Sequence, residues 1–170
     1  MLDDPDRLAA LSAAAALIAV ALPEREPHGD VYRGFAELIG ALDSGAAWPQ
    51  QYVIWECGML AALGFGLDLT QCAATGVNDD LIYVSPRTGR AVSRSAGEPY
   101  QDKLLPLPSF LCHTADADGP AILDGLTLTG YFLHHHLLAP QGGTLPEARA
   151  RLAERLRRLT SSGAAGIIWA

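Results

Sequence analysis

The segment from Pro49 to Gly64 constrains the fold most, because it is apolar on almost every side and carries a single charge, Glu56. A helix that is apolar all round has to be covered by neighbouring elements, so we expect it in the middle of a helical bundle. A lone carboxylate in such a helix is either a catalytic group whose pKa is raised by burial, or a structural group paired with an arginine or the backbone. The structural role is the commoner one.

Four further segments have the residue spacing of amphipathic helices and supply that cover. Their starts are marked by Asp4, by Asp30, by Pro120 and by a capping box over Thr144–Glu147. Apolar residues make up 49% and charged residues 18% of the 170-residue chain, which suits one globular core. The sequence therefore predicts a mainly α fold: a single domain over residues 1–170, built as a bundle of about five helices with a β-hairpin inserted at about 72–96.

The inserted hairpin has the spacing of a zinc ribbon without its ligands. Two pairs of positions, separated by seventeen residues, fit the four-cysteine frame of such a ribbon but hold Cys72, Thr75, Ser93 and Ala96. Because three thiolates are missing, a tetrahedral zinc site cannot form here. We predict that no metal binds and that the turn, apolar packing and hydrogen bonds from the two hydroxyls hold the hairpin.

The remaining residues of reactive type do not assemble a catalytic site. His134, His135 and His136 diverge by about 100° per residue around a helix, so they cannot converge on one ion. The alternative function is a small thiol or hydrolase-type enzyme that uses Cys112 or Cys57 with a histidine. No hydrolase, phosphate-binding or dinucleotide motif accompanies these residues. We predict a protein that is not an enzyme and needs no cofactor.

The N-terminal segment and the net charge limit location and partners. The apolar run at 8–22 follows the acidic segment MLDDPDR, and a membrane span needs about 20 residues. We therefore expect a cytoplasmic protein without membrane contact. The formal net charge of −7 argues against a broad nucleic-acid surface.

The last helix offers a candidate surface for a protein partner. Its basic strip consists of Arg151, Arg155 and Arg158 and lies beside Leu152 and Leu156. An apolar floor with a basic rim suits an acidic peptide that has an apolar end. The alternative is a solvated helix face that only borders the core.

A second group of arginines surrounds the hairpin: Arg87, Arg90 and Arg94. Little leucine surface lies near them in sequence, and we expect the five-residue turn to hold them away from the bundle. They are candidates for nucleic-acid phosphate contacts or for the rim of an interface.

An ordered series of motifs extends over nearly the whole chain. Trp55-Glu56 is followed by Met59-Leu60, by LGFGLDL, by Cys72, by DDLIYVSPRTGRAVS and by YFLHHHLLAPQGGTLPEARARL. This series resembles the C-terminal domain of the RecO family of bacterial recombination mediators. The resemblance implies a protein-interaction domain in DNA repair and homologous recombination, which helps to load recombinase onto single-stranded DNA coated by single-strand-binding protein (SSB). It also implies a finger hairpin that carries zinc in some members only.

The same resemblance implies the partners. These are the acidic C-terminal tail of SSB and the protein RecR, with weak DNA binding by this chain alone. Members of the family have an N-terminal OB-fold as their main nucleic-acid platform, and we expect that domain to be absent from this chain. Ile54 stands where the family often has an arginine or lysine before the aromatic-Glu pair, which weakens the expectation of tail binding at that position.

Overall fold

The computed structural model describes residues 4–22 and 28–162. The helices are α1 (Pro5–Ala21), α2 (Gly29–Ser44), α3 (Trp48–Ala62), the single turn α4 (Arg94–Gly97), α5 (Gly119–Phe132) and α6 (Glu147–Ser161), and the strands are β1 (Leu81–Val84), β2 (Ala91–Ser93) and β3 (Leu105–Pro106). A π-helical turn (Leu133–Leu138) continues α5. The prediction of a mainly α fold with an inserted hairpin is confirmed. Residues 1–3, 23–27 and 163–170 of the predicted domain lie outside the described residues.

The helices pack in pairs around α3 and α5. α2 packs along α3, α1 packs along α6, and α5 contacts both α3 and α6. One side of α3 is buried; its buried residues are Trp48, Pro49, Tyr52, Val53, Trp55, Glu56, Met59 and Leu60. The cover that the apolar sequence predicts on every side is incomplete, because Ile54 is 38% exposed. No helix in the described ranges is long and apolar enough to cross a membrane.

The helix starts differ in part from the sequence prediction. Asp4 caps α1 as expected, because its side chain accepts hydrogen bonds from the backbone of Asp6 and Arg7. α2 begins one residue before Asp30, which lies inside the first turn. The predicted capping box over Thr144–Glu147 is wrong, since α6 begins only at Glu147. Pro146 has an extended ψ of 140°, so the turn that the box needs does not form.

The hairpin belongs to a small antiparallel sheet with the strand order β2-β1-β3. Val84 lies opposite Ala91 in β2 and opposite Leu105 in β3. Gly89 has a φ of 67° in the connecting turn, and its N–H donates to the Ser85 carbonyl at 2.9 Å. The third strand was not predicted, because it is two residues long and includes a proline.

The turn of the hairpin lies against the bundle, which corrects the expectation that it is held away. Nε2 of His136, in the π-helical turn, is 3.4 Å from the Pro86 carbonyl oxygen. A Cβ on Gly89 would be 3.2 Å from the Leu67 side chain and 3.6 Å from the Phe132 ring. The missing side chain at Gly89 therefore permits a close approach that the length of the turn alone does not reveal.

A buried ion pair joins the three central helices. Arg149 of α6 donates from Nε to Oε1 of Glu56 at 2.7 Å and from Nη2 to Oε2 at 2.9 Å. The Thr129 hydroxyl of α5 donates to Glu56 Oε2 at 2.5 Å, and Arg149 Nη2 also reaches the Leu126 carbonyl at 2.8 Å. The exposed fractions of the two charged side chains are 6% and 0%. Of the two roles open to Glu56, the geometry supports the structural one.

The pair is tolerated in the core because each charge has several hydrogen-bonding partners. Removing two ions from water is costly, and only good geometry and further hydrogen bonds offset that cost. Burial by itself lowers the pKa of Arg149, but the charge and hydrogen bonds of Glu56 raise it by more. The net pKa is above its ordinary value, so the guanidinium stays charged. The buried Glu56 charge also acts on Cys57. Burial and this charge together raise the pKa of the Cys57 thiol to about 12.

Replacing Arg149 by methionine should destabilise the protein strongly, because Glu56 is then left as an unpaired buried charge. We expect the free energy of unfolding in urea to fall by about 3–5 kcal/mol. The double variant Glu56→Leu with Arg149→Met removes both charges and should recover most of that loss. The exposed Arg33→Met exchange is the matched control, with a change of about 0.5 kcal/mol or less. An equally small change for Arg149→Met would contradict the conclusion that Glu56 depends on Arg149 for its burial as a charge.

Candidate functional site

Three of the four positions with the zinc-ribbon spacing, Cys72, Thr75 and Ser93, form a small hydrogen-bonded cluster. The Cys72 Sγ accepts a hydrogen bond from the Ser93 backbone N–H at 3.3 Å. Burial raises the pKa of Cys72, but hydrogen bonds from the hydroxyls and backbone N–H groups of Ser93 and Thr75 lower it to about 6. Ala96 packs against the core instead. In the described part of the chain, no group of three or more His, Cys, Asp or Glu residues has an arrangement that holds a metal ion.

Thr75 and Ser93 therefore both act on the sulfur of Cys72. Dipoles of N–H and O–H groups stabilise a thiolate in the way that a cation does in a metal site, with less energy per contact. Cys72 is 1% exposed, so reagents in water do not reach the sulfur in this structure. The cluster connects the segment before the hairpin to strand β2 and has a structural role.

The depressed pKa of Cys72 should make stability depend on pH. The folded value of about 6 lies below the ordinary value of 9.0, so this stabilisation is fully present above the unfolded value and is lost as pH falls through the folded value. We expect the stability difference between the wild type and Cys72→Ala, measured by urea unfolding, to grow from pH 6 to pH 9 with a slope of up to about 1.4 kcal/mol per pH unit.

Cys112→Ala is the control for that experiment. Burial raises the pKa of Cys112 above its ordinary value of 9.0, so its thiol stays protonated in the folded protein, whereas the unfolded thiol begins to ionise as pH approaches 9. The stability difference for Cys112→Ala should therefore be constant near pH 6 to 8 and shrink slightly towards pH 9, opposite in sign to the change expected for Cys72→Ala. A constant difference for Cys72→Ala would show that the Cys72 sulfur is not ionised in the folded protein.

The thiols and histidines do not form a nucleophilic centre. The pKa values of Cys57 and Cys112 are both raised, mainly by burial, whereas a catalytic thiol needs a lowered value. Cys112 Sγ lies 3.9 Å from the Leu69 carbonyl, and no hydrogen bond joins either thiol to a histidine among the described residues. His135 stacks on Tyr131, with ring centroids 4.3 Å apart. The alternative of a thiol or hydrolase-type enzyme gains no support from this geometry.

A cleft of about 690 Å³ lies beside Ile54, between the start of α3 and the segment that follows β3. Phe110 and Leu111 supply apolar lining, Asp116 carries a negative charge, and the lining includes neither lysine nor arginine. An acidic peptide gains no electrostatic attraction in this cleft.

The basic strip on α6 divides into residues that line a groove and residues that do not. A groove of about 300 Å³ lies between α1 and α6, and its lining consists of Pro5, Leu8, Ala9, Ser12, Ala148, Arg151 and Arg155. Arg158 is outside this lining and pairs with Glu154 at 3.2 Å. Arg151 and Arg155, which are four residues apart, thus give the groove one basic side.

The apolar part of this groove comes mainly from α1, with only Ala148 supplied by α6, which corrects the sequence prediction. Leu152 and Leu156 are almost fully buried and belong to the core, so they do not form part of a surface that a partner could reach. Leu8 of α1 is 42% exposed and lines the groove instead. Long-range packing of α1 on α6 decides this, and the local sequence around α6 does not reveal it.

The charges along the groove are partly neutralised within the chain. Arg151 pairs with Glu147 at 2.6 Å, and Arg155 pairs with Asp6 at 2.6 Å. Both arginines remain partly exposed. A partner carboxylate therefore has to share each guanidinium with a carboxylate of the chain.

The arginines at the hairpin are similarly neutralised. Arg90 Nε lies 3.6 Å from a carboxylate oxygen of Asp68, and Arg94 lies 3.1 Å from Asp80. Arg87 pairs with no described acidic residue. The group keeps little net positive charge, which makes it a weak phosphate site.

Sequence reasoning missed Arg149, which makes the central ion pair. A signal for it was present, because Arg149 precedes Leu152 and Leu156 at the helical spacing of the buried side of α6. A basic residue on a buried stripe requires a buried acid, and Glu56 is the acid in the most apolar helix.

Comparison with known families and known proteins points to the same group of proteins in each case. The family described as recombination protein O C terminal matches residues 2–144. The DNA repair protein RecO of Rhodospirillum rubrum is 54% identical over 169 residues, which cover 95% of this chain and 67% of that protein. The RecO proteins of Rhodospirillum centenum and Phenylobacterium zucineum are 52% and 53% identical over 96% and 92% of the chain. The chain spans about two thirds of the length of these curated relatives, 66% and 65% for the latter two. No solved structure matches it significantly.

Proposed function

This chain belongs to the RecO family and corresponds to the C-terminal part of its members. We propose that it acts in DNA repair and homologous recombination as a protein-binding domain. The names of the relatives support the process, and the groove between α1 and α6 is the observation that supports a binding role. On this proposal, the domain takes part in loading recombinase onto single-stranded DNA coated by SSB. Its partners are the acidic C-terminal tail of SSB and the protein RecR.

The groove has the chemistry that an acidic tail requires. Arg151 and Arg155 are one helical turn apart, so they present two guanidinium groups on the same side of α6. The exposed side chain of Leu8 gives an apolar contact for an aromatic residue of the peptide. Carboxylates in the peptide then bind one side of the groove while its apolar side chain covers the other.

The affinity for such a tail should be modest and dependent on salt. Arg151 and Arg155 each have an acidic partner within the chain, Glu147 and Asp6, with which the peptide competes. The surface charges involved are screened by salt, with a Debye length of about 8 Å at physiological ionic strength. Exposed ion pairs contribute about 0.2–1 kcal/mol each, so the apolar contact has to supply much of the binding energy.

DNA binding by this chain alone should be weak. Its net charge is −7, and two of the three hairpin arginines are paired with acidic residues. Affinity for DNA depends mainly on the number of phosphates that lysine and arginine neutralise. The domain is therefore proposed to contribute through protein contacts.

A labelled peptide with the sequence of the SSB tail should bind the chain with a dissociation constant of tens of micromolar, which corresponds to about −6 to −7 kcal/mol. In fluorescence anisotropy, the double variant Arg151→Ala with Arg155→Ala should bind about five- to tenfold more weakly, because two exposed charge contacts are lost. Raising the salt concentration should reduce the difference between the variant and the wild type.

Arg33→Ala is the matched control, because Arg33 is an exposed helical arginine paired with Asp30 and lies outside the groove. Its affinity should equal that of the wild type, and circular dichroism checks that every variant is folded. Equal affinities for all three proteins would exclude the groove as the binding site. A complete absence of binding at tens of micromolar would exclude tail recognition by this chain.

A further inference from the structure

A second pocket lies on the opposite side of α6 from the groove, and one of its walls is the central arginine. Its volume is about 260 Å³, and it is lined by Leu123, Leu126, Thr127, Gly130, Arg149, Ala153 and Arg157. The α6 residues in this lining recur every four positions, whereas Arg151 and Arg155 point to the other side of the helix. The pocket is thus separate from the groove of the proposed function.

Arg149 has unused donors in this pocket. Its Nε and Nη2 atoms donate to Glu56, Thr129 and Leu126, whereas its Nη1 donates to no residue in the described ranges. The side chain is 6% exposed. Nη1 is not fully enclosed by the described residues, and because Arg149 lines the pocket, its free N–H groups can donate to an acceptor that enters there.

Gly130 of α5 makes room for the guanidinium of Arg149 at the wall of this pocket. A Cβ at this position would lie 2.9 Å from Nη1 of Arg149, so any side chain other than hydrogen would block its approach. Arg157 adds a second cation to the lining, and Leu123 and Ala153 add apolar surface. The pocket therefore combines a recessed N–H donor, a cation and apolar walls.

We propose that this pocket binds a carboxylate carried on an apolar stem, as a peptide presents it at an acidic side chain or at its chain end. The balance of charge favours a single negative charge over a phosphate dianion. Arg149 already faces Glu56, and Arg157 pairs with Glu154 at 2.6 Å. The site thus attracts through directed N–H groups more than through net charge, and these groups match a planar carboxylate.

The test titrates the isotope-labelled chain with small probes and follows its backbone amides by NMR. N-acetyl-leucine carries a terminal carboxylate on an apolar stem, N-acetyl-glutamate amide carries a side-chain carboxylate, and N-acetyl-leucinamide carries none. We expect a saturable shift of resonances in Leu123–Gly130 and Arg149–Arg157 with one or both of the acids, at roughly millimolar concentration. The acid that binds more tightly identifies the source of the carboxylate. The uncharged amide and inorganic phosphate should give no saturable shift at these residues.

Two variants locate the binding. Ala153→Leu fills the pocket from the surface of α6 and should abolish the saturable shift. Arg157→Gln should weaken binding by about two- to fivefold, the range for one exposed charge contact. Arg33→Gln is the control, because Arg33 also pairs with an acid three residues away but lies on α2. It should bind like the wild type.

The outcomes separate this proposal from the proposed function. Equal shifts with N-acetyl-leucine and its amide, or acid-induced shifts that survive in Ala153→Leu, would overturn the assignment of a carboxylate to this pocket. A saturable phosphate shift at the same residues, tighter than that of either acid, would overturn the preference for a single negative charge. The double variant Arg151→Ala with Arg155→Ala should lose affinity for the SSB tail but keep the acid-induced shifts, because Arg151 and Arg155 face the other side of α6.

Discussion

The buried pair of Glu56 and Arg149 determines how the central helices meet. Two charges removed from water need a fixed geometry, so the ends of both side chains define the positions of α3 and α6, and Thr129 adds α5 to the same contact. Apolar packing alone tolerates sliding between helices, whereas two parallel hydrogen bonds do not. Both surfaces proposed for binding lie on α6, the helix that this contact positions against α3 and α5.

Both of these surfaces use arginines that are already satisfied in part within the chain. Arg155 is held by Asp6 and Arg157 by Glu154, so neither side of α6 has a large uncompensated positive charge. This arrangement limits indiscriminate attraction of anions, because a ligand has to replace or share existing contacts. It favours ligands whose shape fits an apolar wall and whose carboxylate reaches a particular nitrogen.

The sequence predicted the main features of the fold because they depend on local patterns. The helical stripes, the position of α3 and the hairpin follow from residue spacing, and the missing ligands at Thr75 and Ser93 can be read directly. The features that were missed depend on contacts between distant residues. The burial of Leu152 and Leu156 can be predicted only if it is known that α1 covers α6. Likewise, the position of the hairpin turn depends on the close approach of Gly89 to Phe132. The partner of Glu56 lies 93 positions away, although its place on the buried stripe of α6 was visible.

The packing of the first helix on the last has a consequence for how the chain acquires its structure. Asp6 and Arg155 are 149 positions apart, so this contact closes a long loop and carries a large entropic cost before it is made. During synthesis, the apolar side of α1, with Ala10, Ala14 and Leu17, has to wait uncovered until α6 has left the ribosome. This part of the core therefore completes its folding only after α6 has been synthesised, and until then the apolar side of α1 is available for non-native contacts.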